Sequence, residues 1–179
     1  MNFNIETHYQ HILKSLEEGS RALVRFNRDE LEFLLHKLQS YSDLNELEKI
    51  LCLIDHSAMD FGAFESLLIN FLKSELPDRH LIFVLNCSRK HIIQARFKKG
   101  HRLGFEFLEA LKPLLHHSSP EVVEWTLRTI EECGTQGVYF LQELAKIKPP
   151  PWKWFNAHQR SVREIIEMLE RRWRRFEKS

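Results

Sequence analysis

Apolar residues recur along most of this chain at helical intervals. Ile5, Tyr9, Ile12, Leu13 and Leu16 are spaced 4, 3, 1 and 3 residues apart, which sets them on one face of a helix over 4–18. Gly19-Ser20 ends it. Asn27, with Glu30 three residues on, has the pairing of an N-cap and an N3 residue. It stands ahead of Leu31, Phe33, Leu34, Leu35 and Leu38 and predicts a second helix running to about Ser40. Asp43 and Glu46 repeat the pairing before Leu44, Leu47, Ile50, Leu51 and Ile54, a third helix ending near His56. Phe61-Gly-Ala-Phe opens a fourth, with Phe64, Leu67, Leu68, Phe71 and Leu72 on one stripe. Pro77 suits the first turn of a short fifth helix containing Leu81, Ile82, Val84 and Leu85. The run Leu81-Ile-Phe-Val-Leu is the most strand-like in the chain, but no other segment offers it a strand partner, so it reads as buried helix.

Two stretches then match each other. Gly104-Phe-Glu-Phe-Leu-Glu-Ala-Leu111 and Gly137-Val-Tyr-Phe-Leu-Gln-Glu-Leu144 share Gly, Phe, Leu and Leu at the same places, 33 residues apart. Each follows a shorter apolar-periodic segment that ends in glycine, Arg89 to Gly100 and Pro120 to Gly134. Helix, tight turn and second helix, returning at a period between about 20 and 50 residues, is the signature of a helical repeat. The pairs are 89–99 with 102–116 and 120–133 with 136–147. Ser119-Pro120 puts a hydroxyl at an N-cap and a proline at N1, where a missing N–H costs nothing. Pro149-Pro-Pro151 stops the array. A last helix from about Lys153 to Glu177 carries Val162, Ile166, Leu169, Trp173 and Phe176 on one stripe, as a cap docked on the end of the array would.

The helix pair beginning Ser119-Pro-Glu-Val-Val-Glu-Trp and followed by Val138-Tyr-Phe-Leu-Gln-Glu-Leu resembles a HEAT repeat. In that family a proline or small polar residue opens the first helix, glycine marks the turn and a leucine stripe fills the second helix. The resemblance covers 118–147 best, then 86–116, then 42–74, and extends to armadillo-like proteins. It implies an all-α fold: an α-solenoid of antiparallel helix pairs with a C-terminal capping helix. One domain would span 1–179, with N-terminal helices in 1–40, repeat pairs in 42–147, and a proline-rich link and cap in 149–179. Such folds mostly bind macromolecules on their concave face. Some HEAT-like proteins bind duplex DNA and a few are alkylpurine DNA glycosylases, but no residue here carries over as a catalytic group.

Composition narrows the class without naming chemistry. Of the 179 residues, 43% are hydrophobic and 28% charged, as in a folded protein rather than a disordered one. No apolar run approaches the roughly 18 residues a spanning helix needs. Met1-Asn-Phe-Asn-Ile-Glu has neither the basic nor the apolar region of a secretory signal. Cys52, Cys87 and Cys133 are scattered, without a CxxC, and read as reduced buried thiols of a cytoplasmic protein. The net charge of +1 hides a division. Residues 1–75 hold 13 acids against 7 bases, whereas 76–112 hold 8 bases against 3 acids and 151–179 hold 8 against 4.

That division sets the candidate binding residues. Arg89, Lys90, Arg96, Lys98, Lys99 and Arg102 fall in one run without an acid, which reads either as a phosphate-contacting stripe or as a solvated face with cations near a helix C-terminus. Arg171, Arg172 and Arg175 interleave with Trp173 and Phe176, which can serve nucleic acid or pair with Glu164, Glu167 and Glu170 on a capping helix. Trp152 and Trp154, beside the prolines, are either partner contacts or linker anchors. His8 with His11, His116-His117, and Asp55-His56 with Asp60 lack the companions of a metal or acid–base site. There is no Gly-rich phosphate loop, nucleophile elbow or HExxH, and no cofactor or metal is expected. The first expectation is a non-enzymatic adaptor or regulatory scaffold for a protein partner, with no membrane partner, as monomer or homodimer. The second is a nucleic-acid-binding protein working through 89–102.

Overall fold

The computed structural model describes residues 3–20, 23–150 and 157–173, which are helical almost throughout. The α-helices are α1 (Ile5–Glu17), α2 (Arg28–Gln39), α3 (Leu44–Asp55), α4 (Glu65–Leu72) and α5 (Asp78–Ser88). They continue with α6 (Ala95–Lys98), α7 (Phe105–Leu111), α8 (Pro120–Glu132), α9 (Leu141–Ile147) and α10 (Ala157–Trp173). Short 3-10 turns at Gly62–Phe64, Pro113–His116 and Gly134–Phe140 lead into or out of them. Among the described residues there is no β-strand, and extended pairing is confined to one bridge between Val24 and Ser57. No described helix is long and apolar enough to cross a membrane.

Local chemistry accounts for most of the boundaries. Asn27 accepts from the Glu30 N–H at 2.9 Å while the Glu30 carboxylate accepts from the Asn27 N–H at 2.8 Å, a complete capping box. Asp43 caps α3 through the Glu46 N–H at 2.8 Å, but the Glu46 side chain turns instead to the Ser42 N–H and hydroxyl, so only half the box forms. Ser119 stands at the N-cap of α8 and Pro120 at N1, yet the Ser119 hydroxyl makes no capping bond; its backbone N–H donates to His117 Nδ1 at 3.1 Å.

One boundary differs from the sequence expectation. The helix containing Leu81-Ile-Phe-Val-Leu does not end before Arg89. It widens into a π-helical segment over Arg89–Gln94 and passes into α6, so 78–98 is one rod. Nothing in Asn86-Cys87-Ser88 breaks a helix: Cys87 and Ser88 are buried, and the Ser88 hydroxyl satisfies the Val84 carbonyl at 2.7 Å. The wide turn brings His91 between two neighbours, where it accepts from the Phe61 N–H and bonds the Ile54 carbonyl, both at 2.9 Å. π segments of this kind concentrate where a helix must re-aim side chains.

Packing is sequential. Helix α1 lies on α3, α3 on α5, α5 on α8, and α8 on α10; α2, α4, α7 and α9 with the 3-10 turns contribute the rest of the core. The two matched stretches coincide where burial demands it: Phe107 and Phe140, and Leu111 and Leu144, are all 0% exposed. A buried Leu or Phe at such a position is worth about 1.5–3 kcal/mol. The two matched glycines have different reasons. Gly104 is the N-cap of α7, with room for a side chain, whereas Gly137 is buried with the Trp173 ring against it. Gln136 joins one unit to the other, accepting from the Leu103 N–H at 2.8 Å and donating to the Leu103 carbonyl at 3.3 Å.

Candidate interaction surface

The basic run 89–102 is divided by the fold. Arg89 and Lys90 belong to the π segment. Lys90 Nζ donates to the Ser57 carbonyl at 2.6 Å and to that of Asp55, placing a cation on the carbonyl-rich end of α3 where the helix dipole favours it. Arg89 crosses to α8 and meets Glu132, with Nε–Oε1 at 2.8 Å.

Farther along, Arg96 grips both oxygens of Glu65 at 2.6 to 2.9 Å and donates to the Arg102 carbonyl at 3.1 Å. Hydrogen bonding to Glu65 raises the Arg96 pKa, so this guanidinium stays charged. Lys98 pairs with Asp60 at 2.8 Å, and that bond holds the Asp60 carboxyl below its usual value. Lys99 and Arg102 are exposed and have no carboxylate partner among the described residues.

On α10, Arg172 pairs with Glu131 at 3.0 Å, while the exposed Arg171 bonds the Glu167 carbonyl at 3.1 Å. Trp152, Trp154 and Arg175 lie outside the described residues. Of the basic residues singled out by sequence, Arg89, Arg96, Lys98 and Arg172 are therefore matched by acids within the chain, Arg96 and Lys98 by acids from the front half.

Two of them still meet. Arg89 and Arg172 line one groove of about 470 Å³ with Trp125, Arg128, Glu131 and Glu132. Arg89 also borders a second hollow of about 200 Å³ beside Lys90, His56 and Asn86, and Asn86 borders a third of about 430 Å³ beside Arg79, Ile82 and Phe83. Consecutive hollows share Arg89 and Asn86 of the 78–98 rod; the first is walled by α8 and α10, the second by the end of α3 and the third by the start of α8. Trp125 is half-buried, with the Arg128 guanidinium 5.9 Å from its ring centre. Glu124 holds Arg128, His158 and Ser161 at 2.6 to 2.8 Å. Burial alone would raise the Glu124 pKa, but these hydrogen bonds outweigh it and the pKa falls.

Asn86, Trp125 and Arg128 were not singled out by sequence. The signal was thin: Trp125 stands off the Val122, Leu127, Ile130 stripe that fills the core, which marks a side chain facing elsewhere. Reactive groups are scarce around the groove. The thiols of Cys52, Cys87 and Cys133 are buried, and burial pushes Cys52 and Cys133 up to about 12. Among the described residues no group of three His, Cys, Asp or Glu is placed to hold a metal. Comparison with protein-family models, curated proteins and solved structures returns no match. What the fold and this surface define is an all-α protein with a mixed-charge, aromatic-edged groove along its central rod.

Proposed function

We propose that this chain is a non-enzymatic interaction module, a HEAT-like or armadillo-like α-solenoid of the cytoplasm that receives a protein partner along the groove beside 78–98. The solenoid reading is supported by the sequential packing of α1, α3, α5, α8 and α10. It is also supported by links that join residues about one repeat apart: Arg96 to Glu65 at a separation of 31, Lys73 to Glu106 at 33 and His80 to the Leu44 carbonyl at 36. In a solenoid each unit touches its neighbours, and contacts recur at the repeat length.

The observation that carries the choice of partner is the internal matching of charge. Arg96 on Glu65, Lys98 on Asp60 and Arg89 on Glu132 leave little of the basic run to neutralise phosphates, whereas duplex binding rests on many Lys and Arg contacts at once. Neighbouring hollows, one edged by Trp125 and another by Phe83 and Ile82, with arginine and glutamate interleaved, suit a protein partner, because aromatic and arginine residues dominate such interfaces.

Two measurements test this. Binding to a labelled DNA duplex and to single-stranded RNA is followed across a salt series, and neither should bind. Salt-sensitive binding that is lost in Lys98→Glu/Lys99→Glu would overturn the reading in favour of nucleic acid. A protein captured by the wild-type chain should be lost with Asn86→Trp, which fills the second and third hollows, or with Trp125→Ala in the first, and kept with Lys146→Glu on α9. Equal capture by all three variants would place the contact elsewhere and sink the groove.

A further inference from the structure

The turn joining α6 to α7 gathers features that the groove does not use. Phe97 and Phe105 stand at its two ends, 43% and 66% exposed, and Phe105 is the most exposed of the large hydrophobic residues described. Between them lie Lys98, Lys99, His101 and Arg102, all exposed. The Lys98–Asp60 pair brings the 59–60 segment alongside, and Met59 there is 51% exposed. Gly100, at φ +70°, carries the chain through the turn with nothing within 4 Å of where a side chain would stand, so the turn is open to solvent at that point.

Charge on this edge does not cancel. Glu65 is taken by Arg96, Asp60 by Lys98, Glu106 by Lys73 and Glu109 by Lys112. Lys99 and Arg102 are left without a carboxylate among the described residues, with His101 between them. A turn with two unmatched cations at its tip and an exposed phenylalanine at each end is complementary to a surface that offers anionic headgroups above an apolar layer.

We propose that the edge formed by Met59 and the 97–105 turn docks on an anionic phospholipid surface, with Phe97, Phe105 and Met59 entering the headgroup boundary and Lys99 and Arg102 against lipid phosphates. A nucleic-acid backbone fits less well, because it offers no apolar layer for the exposed Met59 side chain to enter, and methionine has no ring to stack on a base. This edge shares no residue with the groove walls, so its test does not depend on the protein-partner reading.

The test is co-sedimentation of the full chain with vesicles of phosphatidylcholine alone and of phosphatidylcholine mixed with phosphatidylserine, at low and physiological salt. The chain should sediment with the anionic vesicles only, and less so as salt rises. Because each Lys or Arg near an anionic surface strengthens binding about fivefold, Lys99→Glu/Arg102→Glu should weaken it by about 25-fold or more. Phe105→Ser should weaken it, and Phe105→Tyr, which keeps the edge contact with the Tyr139 ring at 5.7 Å, should retain most of the binding, which separates the loss of membrane contact from the small loss of stability that the broken ring pair causes. Lys14→Glu on α1, the same charge change elsewhere, should have little effect. Failure to bind anionic vesicles at low salt, equal binding to neutral ones, or indifference to the Lys99/Arg102 change would each overturn the proposal. Binding of duplex DNA that the double variant abolishes, without vesicle binding, would reassign the edge to nucleic acid.

Discussion

Trp173 occupies the place where Gly137 would carry a side chain. A Cβ built at Gly137 would overlap the Trp173 ring and stand 3.0 Å from the Ile130 carbonyl oxygen. Here α10, which packs along α8, also comes against the turn that follows α8, and a glycine that sequence reads as a repeat mark is there for close approach.

Gly137→Ala should therefore destabilise the chain by about 1–3 kcal/mol, the usual cost of overpacking, and Trp173→Ala by about 3–5 kcal/mol through the cavity it leaves. Gly104→Ala meets only the Arg96 guanidinium, at the ordinary contact distance of 3.7 Å, and should cost no more than about 1 kcal/mol as a poorer N-cap. Urea unfolding of the three variants measures the contrast. Equal costs at Gly104 and Gly137 would mean that the Trp173 contact does not constrain the position.

His91 makes stability depend on pH. Burial lowers its pKa from 6.5 to about 4, against the raising effect of its bond to the Ile54 carbonyl; Lys90 lowers it further and Asp60 raises it. The unfolded chain takes up this proton near 6.5 and the folded chain only near 4, so between those values unfolding binds a proton and acid favours it. The stabilisation is complete above about 6.5 and lost as pH falls towards about 4, amounting to about 3 kcal/mol. Urea midpoints across that range should fall with pH in the wild type and stay nearly level in His91→Gln. A variant with an undiminished slope would place the effect on other groups.

The two caps at the starts of α2 and α8 differ in kind, and mutation should separate them. Asn27→Ala removes a bonded cap and should cost about 1 kcal/mol. Ser119→Ala removes a hydroxyl that caps nothing and should stay within about 0.5 kcal/mol. Thermal melts of the two single variants suffice, and comparable losses would show that Ser119 caps α8 in solution.

Arg96 and Glu65 form a two-pronged pair that also holds the 97–105 turn through the Arg102 carbonyl. Both side chains are partly exposed, at 33% and 21%, so solvent screens the pair. A double-mutant cycle with Arg96→Ala and Glu65→Ala should give a coupling of about 1 kcal/mol. Arg96→Lys should recover only part of it, because an ammonium cannot make the fork. A coupling near zero would leave the turn held by its backbone alone.

Much of the helical framework was legible in the residues, because its causes are local. The stripe Leu31, Leu34, Leu38, the Asn27–Glu30 box and Pro120 at N1 each act within a turn or two of helix, and each lies where sequence places it. The equivalence of Phe107 with Phe140 and of Leu111 with Leu144 was legible for the same reason: a helix must bury one face, and the apolar period declares which. What lay beyond reach came from distance along the chain. Which groups His91 meets in the wide turn was decided by the Ile54 carbonyl and the Phe61 N–H, 37 and 30 residues away. Whether the basic run 89–102 stands free was decided by Glu65, Asp60 and Glu132, and whether Gly137 makes a turn or a seat was decided by Trp173. Helical period and caps belong to the sequence, since 3.6 residues per turn couples only near neighbours. The matching of charge and the shape of the groove belong to the tertiary structure, since they depend on which helices come to lie side by side.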